Sequence, residues 1–476
     1  MYEKHTVCMK MAFYNRVDEK ARLEAVLQSA GPALAVVYGR RRCGKSTLLQ
    51  SVIGKHDIYF LADQRETALQ IRAFAEAVDG VLPGFSLAQY PSWDALLQTL
   101  ASRCNQGLNV VIDEFPYLVK SDPALPSLLQ GLMDRPEASN LRWILCGSSQ
   151  RMMQGIVLDH SAPLYGRARE ILKIRPLEAG WLPAALRLSP VAAIEAYAIW
   201  GGVPRYWELA RDYATTWDAV SALVLDRNGV LHEEPNRLLV DDVSSPVQTI
   251  SLLSVIGSGS HRMSEIAARL QKPAGSLTRP LGHLIELGYV HRELPWGENL
   301  RSTKRTLYRL SDPFLRFYYR FVLPHQSLLE LGQTRPVLAQ VKEAFPLHCG
   351  GIWEDLARRS IPFCRIADTD WSVAARWWGQ DMQRQQVEVD VVAEAVEGGS
   401  LLIGEVKWGP GKRDLQHVAR RLRTRAANLP FVQGRRVVLA IWTREKVALG
   451  SDIVVLTPED VLAALRPEGF GKKLKC

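Results

Sequence analysis

A glycine-rich segment near the start of the chain has the residue types and spacing of a phosphate-binding loop. Residues 39–46 read Gly-Arg-Arg-Arg-Cys-Gly-Lys-Ser and fit the pattern G-x-x-x-x-G-K-[ST]. In such a loop the backbone N–H groups point at phosphate oxygens, the lysine reaches the β- and γ-phosphates, and the serine hydroxyl ligates Mg²⁺. We therefore expect ATP and Mg²⁺ to be bound here by Gly39, Arg40, Arg41, Arg42, Cys43, Gly44, Lys45, Ser46 and Thr47.

Two carboxylates follow an apolar segment further along the chain. Residues 109–114 read Asn-Val-Val-Ile-Asp-Glu, which predicts a buried strand ending in two acids. Asp113 is expected to hold the Mg²⁺ shell, and Glu114 to orient or polarise the attacking water. The alternative is a strand end followed by a solvated turn.

The elements around these residues are those of a parallel sheet. The apolar run 34–38 predicts a strand before the loop, and residues 47–53 predict a helix after it, whose positive N-terminal end faces the phosphates. A further strand, residues 143–147, ends in Ser148-Ser149-Gln150, and we expect Ser149 to contact the γ-phosphate. Because ligands bind beyond the carboxyl ends of parallel strands, the three strand ends should converge.

A second group of charged residues lies near the C-terminus, on a predicted β-hairpin. Residues 386–393 and 401–408 alternate polar and apolar on either side of Gly398-Gly399. A two-residue turn at the glycines would place Val392 opposite Glu405. The whole register of the hairpin follows from that turn.

This register brings four charged side chains to one face of the hairpin, because alternate residues share a face. They are Glu388, Asp390, Glu405 and Lys407, and a further acid, Glu354, lies on a predicted helix over residues 351–356. Carboxylate oxygens suit Mg²⁺, which would polarise a scissile phosphate and lower the pKa of a bound water. Lys407 would position the nucleophile or stabilise charge on the phosphate. The alternative is an ordinary cross-strand charge pair in a half-exposed hairpin.

Between the two groups, the residue pattern predicts a winged helix-turn-helix. Its three helices cover residues 246–256, 263–270 and 276–287, and its two wing strands cover residues 289–294 and 306–310. The side chains expected to contact DNA are Thr278, Arg279 and His283 on the third helix and Arg301, Lys304 and Arg305 on the wing. Alternatively, such a module packs between domains or binds protein.

Composition restricts the function classes. The chain of 476 residues has 59 Lys and Arg against 50 Asp and Glu, a net charge of +9, which favours a polyanionic partner, nucleic acid and in particular DNA. No run approaches the ~18 apolar residues that would span a bilayer, so no membrane partner is expected. The seven cysteines lack paired C-x-x-C spacing, which favours reduced thiols in the cytoplasm and argues against structural zinc.

Six short segments together carry a resemblance to a known family. They are residues 13–16 (Phe-Tyr-Asn-Arg), the phosphate loop, residues 113–118 (Asp-Glu-Phe-Pro-Tyr-Leu), 146–149 (Cys-Gly-Ser-Ser), 164–167 (Leu-Tyr-Gly-Arg) and 201–206 (Gly-Gly-Val-Pro-Arg-Tyr). Over nearly its whole length the chain resembles the archaeal/bacterial ATPase family within the AAA+/STAND group. The resemblance implies an ATP-dependent switch with Arg167 and Arg205 near the γ-phosphate as sensor or finger residues. A finger acting in trans would require a homo-oligomer.

The C-terminal part resembles the domain of unknown function that accompanies this ATPase. That domain is similar to the PD-(D/E)xK nuclease superfamily, whose members often lose the chemistry. The resemblance implies Asp390 as the first acid, Glu405 and Lys407 as the E-x-K, and Glu354 as the helix acid. Val389 stands where the literal motif has proline.

The predicted fold class is α/β, with a P-loop NTPase parallel sheet and helical lid, then a winged-helix domain and a PD-(D/E)xK nuclease-like α/β domain. The predicted domains are 13–177 (ATPase core), 178–236 (lid), 242–324 (winged helix) and 341–476 (nuclease-like). The favoured function is an ATP-binding and hydrolysing protein that binds nucleic acid and carries a Mg²⁺-dependent nuclease-like domain. The alternatives are a signal-type ATPase or DNA-binding regulator with a catalytically silent nuclease-like domain, and a scaffold that uses ATP for assembly.

Overall fold

The computed structural model describes residues 14–104, 106–135, 140–239, 245–299, 301, 303–409, 412–466 and 474–475. These residues form two units, one of residues 14–176 and one of residues 177–239 with 245–475. The predicted domain limits Phe13, Asp242 and Cys476 lie outside the described residues. The division into four domains stays a prediction.

The first unit alternates strands and helices. Its strands are β1 (Ala33–Tyr38), β2 (Ile58–Leu61), β3 (Leu108–Asp113), β4 (Leu141–Gly147) and β5 (Glu170–Lys173). Its helices are α1 (Val17–Leu27), α2 (Lys45–Val52), α3 (Thr67–Asp79), α4 (Trp93–Arg103), α5 (Phe115–Ser121), α6 (Leu125–Met133) and α7 (Gln150–Met153), with a 3₁₀ turn at Phe85–Leu87 and a π turn at Gln154–Leu158.

The five strands make one parallel sheet in the order β2-β3-β4-β1-β5. Both faces of this sheet are buried, since Leu34 and Val36 of β1 pack into one core while Ala35 and Val37 pack into another. Burial on both faces explains why β1 reads as a continuous apolar run. In a parallel sheet all carboxyl ends lie at one edge, so the ends of β1, β3 and β4 meet there as predicted.

The second unit contains thirteen α-helices among its described residues. They are α8 (Leu182–Leu186), α9 (Pro190–Trp200), α10 (Pro204–Ala210), α11 (Thr216–Val220), α12 (Glu234–Leu239), α13 (Pro246–Gly257), α14 (Met263–Leu270), α15 (Ala274–Glu286), α16 (Pro313–Phe317), α17 (Gln326–Glu330), α18 (Thr334–Ser360), α19 (Lys412–Ala427) and α20 (Pro458–Ala464). Short 3₁₀ turns lie at Ala179–Trp181, Leu323–His325 and Ile361–Phe363, and π turns at Ser221–Leu225 and Tyr318–Val322.

Helices α13, α14 and α15 are followed by a two-stranded ribbon. The ribbon consists of β6 (Val290–Glu293) and β7 (Leu307–Leu310), which pair antiparallel. We call α13–α15 with β6 and β7 the helix–ribbon segment. Its element order is the predicted one, and the third helix begins two residues earlier than expected, at Ala274.

The C-terminal sheet contains β10 (Ala375–Gln380), β11 (Gln386–Glu394), β12 (Ser400–Val406), β13 (Arg436–Trp442) and β14 (Ile453–Leu456), in that order. The first three strands run antiparallel, and β12, β13 and β14 run parallel. A small sheet has the order β15 (Leu474–Lys475), β8 (Cys364–Ile366), β9 (Thr369–Asp370).

The predicted register of the β11–β12 hairpin is wrong by two residues. Val392 lies opposite Ile403 rather than Glu405. The reason is a four-residue loop: the Ala395 N–H donates to Ser400 O at 3.0 Å, and both glycines between them have positive φ. A shift of two residues leaves every side chain on its predicted face.

Candidate functional site

The loop after β1 is built around a lysine that lies across it. Lys45 is buried, and its Nζ donates to the carbonyl oxygens of Gly39 at 2.9 Å and Arg40 at 3.1 Å. Gly39 has φ +144°, and a Cβ there would lie 2.3 Å from Ile174 O, so only glycine fits. Gly44, with φ +86°, caps the start of α2. The loop therefore presents backbone N–H groups at a helix N-terminus, which is an anion site.

The remaining predicted loop residues lie around this lysine. Ser46 and Thr47 are exposed in the first turn of α2, as a hydroxyl ligand to a bound Mg²⁺ would have to be. Arg41 Nη2 donates to Tyr117 Oη at 2.7 Å, which ties the loop to α5. Arg42 holds a left-handed backbone, with φ +66°.

The acid pair at the end of β3 is held by neutral donors. Asp113 is fully buried, and its carboxylate accepts from Tyr59 Oη at 3.0 Å and from the Glu114 N–H at 3.0 Å. Glu114 adopts φ +55°, and its carboxylate accepts from Ser148 Oγ at 2.5 Å and from the Ser148 N–H at 3.2 Å. The ends of β3 and β4 are thus joined through the acid that was predicted to act on water.

The neighbour of the serine singled out from the sequence contacts Glu114. Ser149 Oγ accepts from the Met152 N–H at 3.4 Å and caps α7, whereas its neighbour Ser148 bonds to Glu114. Tyr59 on β2 was missed because a tyrosine in an apolar strand carries no chemical signal. Only the parallel register, which places Leu61 beside Asp113, brings β2 to this end of the sheet.

The two predicted arginines have partners in their own units. Arg167 bonds to Asp134 in the first unit, with Nη2–Oδ2 at 2.8 Å and Nε–Oδ1 at 3.2 Å. Arg205 belongs to the second unit and bonds to Glu208 at 2.9 Å. A finger or sensor role for Arg167 would require it to leave Asp134, and both roles stay predictions.

The cysteines at this site are buried thiols. Burial raises the pKa of Cys43, although Arg40 and Lys45 oppose the rise. Burial and the nearby Asp113 carboxylate raise the pKa of Cys146. Thiols of this kind stay protonated and react slowly.

A second site lies on the C-terminal sheet, where β11 and β12 bring two acids and a lysine together. Lys407 Nζ lies 3.2 Å from Asp390 Oδ2 and 2.8 Å from Glu405 Oε2. The Val406 N–H donates to Asp390 Oδ2 at 2.9 Å. The predicted face is therefore confirmed: Asp390, Glu405 and Lys407 point to one side of the sheet.

Two arginines that the sequence did not place at the acids complete the arrangement. Arg425 on α19 forms an ion pair with Glu405 and also donates to Glu388 O at 2.7 Å. Arg358 on α18 donates to Asp390 O at 2.9 Å and lies 3.8 Å from Glu354. The helical spacing of Arg421 and Arg425 was the available signal, since residues four apart share a helix face.

The Asp390 carboxylate repels those of Glu354 and Glu405. Burial, followed by the charge of Asp390, raises the pKa of Glu354 to about 7. The same two causes raise the pKa of Glu405, and Lys407 partly offsets them. Burial lowers the pKa of Lys407, but Asp390 and Glu405 outweigh it and raise that pKa overall. The neighbouring cations therefore offset only part of the repulsion that Asp390 exerts on Glu354 and Glu405.

The donor set fits a hard divalent cation such as Mg²⁺, because every anionic donor is a carboxylate oxygen. Asp390 and Glu405 would hold it, and a ligand role for Glu354 stays a prediction. A cavity of about 230 Å³ opens over the acids and is lined by Glu388, Asp390, Glu405, Lys407, Val418, Arg421 and Arg425. The exposed Arg421 could receive a phosphate entering this cavity.

The helix–ribbon segment exposes the residues predicted to contact DNA. Thr278 and Arg279 are exposed on α15, and Lys304 and Arg305 are exposed before β7. His283 is half-buried and lies 3.8 Å from Glu286. These positions agree with a polyanion-binding face but do not by themselves name a ligand.

Comparison with known proteins identifies two parts of the chain. Residues 13–208 match the family of ATPase domains found predominantly in Archaea, and residues 318–418 match a family of archaeal and bacterial proteins of unknown function. The N-terminal part of the chain is thus similar to archaeal-type ATPase domains, and part of the second unit is similar to a family of unknown function. An uncharacterized protein of Methanocaldococcus jannaschii is 29% identical over 426 residues, which cover 86% of this chain and 91% of that protein.

Two solved structures are similar to this chain over about two thirds of its length. A Walker-type ATPase of Pyrococcus abyssi is 20% identical, covers 64% of this chain and 95% of its own, and has a TM-score of 0.47. The ORC2 protein of Aeropyrum pernix, solved in complexes with ADPNP and ADP, is 16% identical, covers 70% and 96%, and has a TM-score of 0.44.

Within the described part of the chain, no helix by itself has the length and apolar character needed to cross a membrane. The helical stretches Ala179–Leu186 and Pro190–Trp200, bent by 109°, meet that test only when taken together.

Proposed function

We propose that this protein is an archaeal-type ATPase that acts as an ATP-hydrolysing switch, and that its second unit binds DNA and cleaves it with a Mg²⁺-dependent nuclease site. The lysine bridge from Lys407 to Asp390 and Glu405 is the observation that carries the nuclease part. Two acids and one lysine on a single face are the groups that phosphodiester hydrolysis needs. An accidental charge pair on a sheet would not also bring the half-buried Glu354 close enough for the charge of Asp390 to raise its pKa.

The ATPase part follows from the loop and its acid pair. Lys45 and Ser46 would hold the phosphates and Mg²⁺, Asp113 would fix the metal shell, and Glu114 would take the proton of the attacking water. Ser148 positions Glu114 through two hydrogen bonds.

In the nuclease-like site, the chain's own residues supply charge and orientation. A bound Mg²⁺ would polarise the scissile phosphate and lower the pKa of its water. Asp390, Glu405 and Glu354 would hold that ion, and Lys407 would stabilise charge that builds on the phosphate. Arg358 fixes the backbone at Asp390 and so keeps its carboxylate in place.

The second candidate is a DNA-binding ATPase whose nuclease-like domain is silent. One observation favours it: Lys407 and Arg425 already neutralise Asp390 and Glu405 without a metal. A nuclease-like site that has lost its activity would retain such ion pairs because they hold the buried acids in the fold.

The test uses purified full-length protein with single-stranded DNA, duplex DNA and RNA, with Mg²⁺ or Mn²⁺, with and without ATP. We expect cleavage of at least one substrate, and a loss on the order of 100-fold in Asp390→Asn and Lys407→Ala. Glu394→Gln is the matched control, because Glu394 lies on the same strand and pairs with Arg435 instead. Intact substrates under all conditions, or full activity in Asp390→Asn, would establish the silent reading.

We also place the protein in the cytoplasm, where its buried cysteines would stay reduced. Five described cysteines carry no disulfide: Cys43, Cys104, Cys146, Cys349 and Cys364. Unpaired buried thiols are usual in reducing compartments.

A further inference from the structure

Three cavities in the second unit join the helix–ribbon segment to the acids of the C-terminal sheet. The first, of about 950 Å³, lies between the start of α14, the residues before β7, and β10. The second, of about 550 Å³, shares Arg262, Leu307, Trp378 and Gln386 with the first. The third is the 230 Å³ cavity over the acids, and it shares Glu388 with the second. We call the three together the polar groove.

Cations line the polar groove from one end to the other and outnumber the acids that also line it, which are Glu265, Glu388, Asp390 and Glu405. The cations include Arg262, Lys304 and Arg305 in the first cavity, Arg309 and Arg376 in the second, and Arg421 and Arg425 in the third. Arg262 and Lys304 at the first cavity are exposed, as is Arg421 at the last. A row of separated cations suits a ligand with regularly spaced negative charges rather than a single small anion.

An aromatic side chain stands at the junction of the first two cavities. Trp378 is half-buried and lines both, and the Arg376 guanidinium lies 5.8 Å from its ring centroid. The backbone of Trp378 is fixed, because its carbonyl accepts from Arg305 at 2.8 Å. A half-exposed aromatic ring beside cations is an arrangement on which an unpaired base stacks.

The wall between the aromatic ring and the acids is continuous. Arg376 forms an ion pair with Glu388, the Glu388 carbonyl accepts from Arg425, and Arg425 pairs with Glu405. Arg309 is likewise held by Glu293 at 2.6 Å. The central part of the polar groove is therefore preorganised, which lowers the cost of binding.

We propose that the polar groove leads a single polynucleotide strand from the helix–ribbon segment to Asp390 and Glu405, with one base stacked on Trp378. Stacking requires an open base face, which a base inside a duplex does not offer, so the ligand is single-stranded. This proposal rests on the proposed nuclease function for the direction of the strand, but the binding itself does not require cleavage.

The experiment measures binding without catalysis. Full-length protein is titrated into fluorescein-labelled 20-mers of single-stranded DNA, single-stranded RNA and duplex DNA, in EDTA, at several salt concentrations. We expect a single strand to bind at least tenfold tighter than the duplex. The DNA and RNA arms identify which of the two strands the groove accepts.

Variants in the polar groove locate the strand. Trp378→Ala should weaken single-strand binding about tenfold, and Trp378→Phe, which keeps an aromatic face, should stay within about twofold of wild type. The logarithm of the binding constant falls linearly with the logarithm of the salt concentration. Lys304→Ala should make that slope less steep by about 0.7, the value of one phosphate contact on a single strand. Lys446→Ala is the control, since Lys446 is exposed and outside the polar groove.

The outcomes separate the two proposals. If wild type and Trp378→Ala bind single strands with equal affinity, or if the protein prefers duplex, the proposed strand binding in the polar groove is wrong, even if the protein cleaves DNA. Loss of binding in Trp378→Ala, with recovery in Trp378→Phe, would support the groove even if no substrate is cleaved.

Discussion

The two acid pairs of this protein are assembled in opposite ways. Asp113 and Glu114 are neighbours in the chain, and their partners are neutral donors, Tyr59 and Ser148. Asp390 and Glu405 come from two strands, and their side-chain partners are cations. A bound metal would therefore be the cation that neutralises Asp113 and Glu114, whereas Lys407 and Arg425 already neutralise Asp390 and Glu405.

The lysines of the two sites repeat this contrast. Lys45 donates to backbone carbonyls of its own loop and forms no ion pair with an acid among the described residues, so its charge is available to phosphates. Lys407 bridges two carboxylates, so an arriving metal or phosphate must share or displace it. We infer that ligand binding should rearrange the second site more than the first.

The largest effect is expected at the first lysine. Lys45→Ala should reduce ATP hydrolysis at least ~100-fold, because it removes the charge predicted to act directly on the transferring phosphate. Phosphate release and nucleotide binding are measured together. Glu114→Gln should lose hydrolysis but still bind ATP, and Lys55→Ala, an exposed lysine after α2, should behave as wild type. Normal hydrolysis in Lys45→Ala would mean that this loop is not the ATP site.

The next effect tests whether the second site holds a metal. Arg425→Ala removes the cation paired with buried Glu405, so the free energy of unfolding should fall by about 2 kcal/mol without metal. Mg²⁺ or Mn²⁺ should restore part of that loss, because the acids then need a replacement cation. The check is a denaturant melt with and without metal, with Arg435→Ala as the matched control. If neither metal changes the free energy of unfolding of Arg425→Ala, the second site does not bind a metal.

A smaller effect is expected at Tyr59. Tyr59→Phe removes the hydroxyl that donates to Asp113, a bond to a charged group, and ATP hydrolysis should fall about tenfold. The Mg²⁺ concentration for half-maximal hydrolysis should rise with it. Tyr165→Phe, in the same unit but exposed, serves as the control. An unchanged Mg²⁺ dependence would show that Tyr59 does not hold the metal-binding acid.

The smallest effect concerns Cys43 inside the phosphate loop. Its burial and raised pKa predict that iodoacetamide at neutral pH leaves native Cys43 unmodified and the ATPase rate unchanged. Peptide mass spectrometry follows the modification, and the protein unfolded in urea shows the full reactivity. Rapid loss of activity through alkylated Cys43 would reverse this reading and point to an exposed loop.

Much of both sites could be predicted because the signals are local. The phosphate loop and the acid-ended strand are short segments whose chemistry depends on residues adjacent in the chain. The shared face of Asp390, Glu405 and Lys407 was predicted from the period of two in strands. The prediction held although the register was wrong, because a shift of two residues leaves each side chain on the same face. Tyr59 and Ser148 were missed because their importance depends on strand order rather than on spacing.

The sequence by itself determined which segments could bind phosphate and metal, since residue type and local periodicity fix charge, hydrogen-bonding capacity and side-chain face. Tertiary structure alone decided which residues contact the acids. These are Tyr59 and Ser148 at one site, and Arg358 and Arg425 at the other. It also decided that the helix–ribbon segment and the acids share one groove. The physical reason is that contacts between residues far apart in the chain depend on the packing of whole elements, which no local pattern encodes.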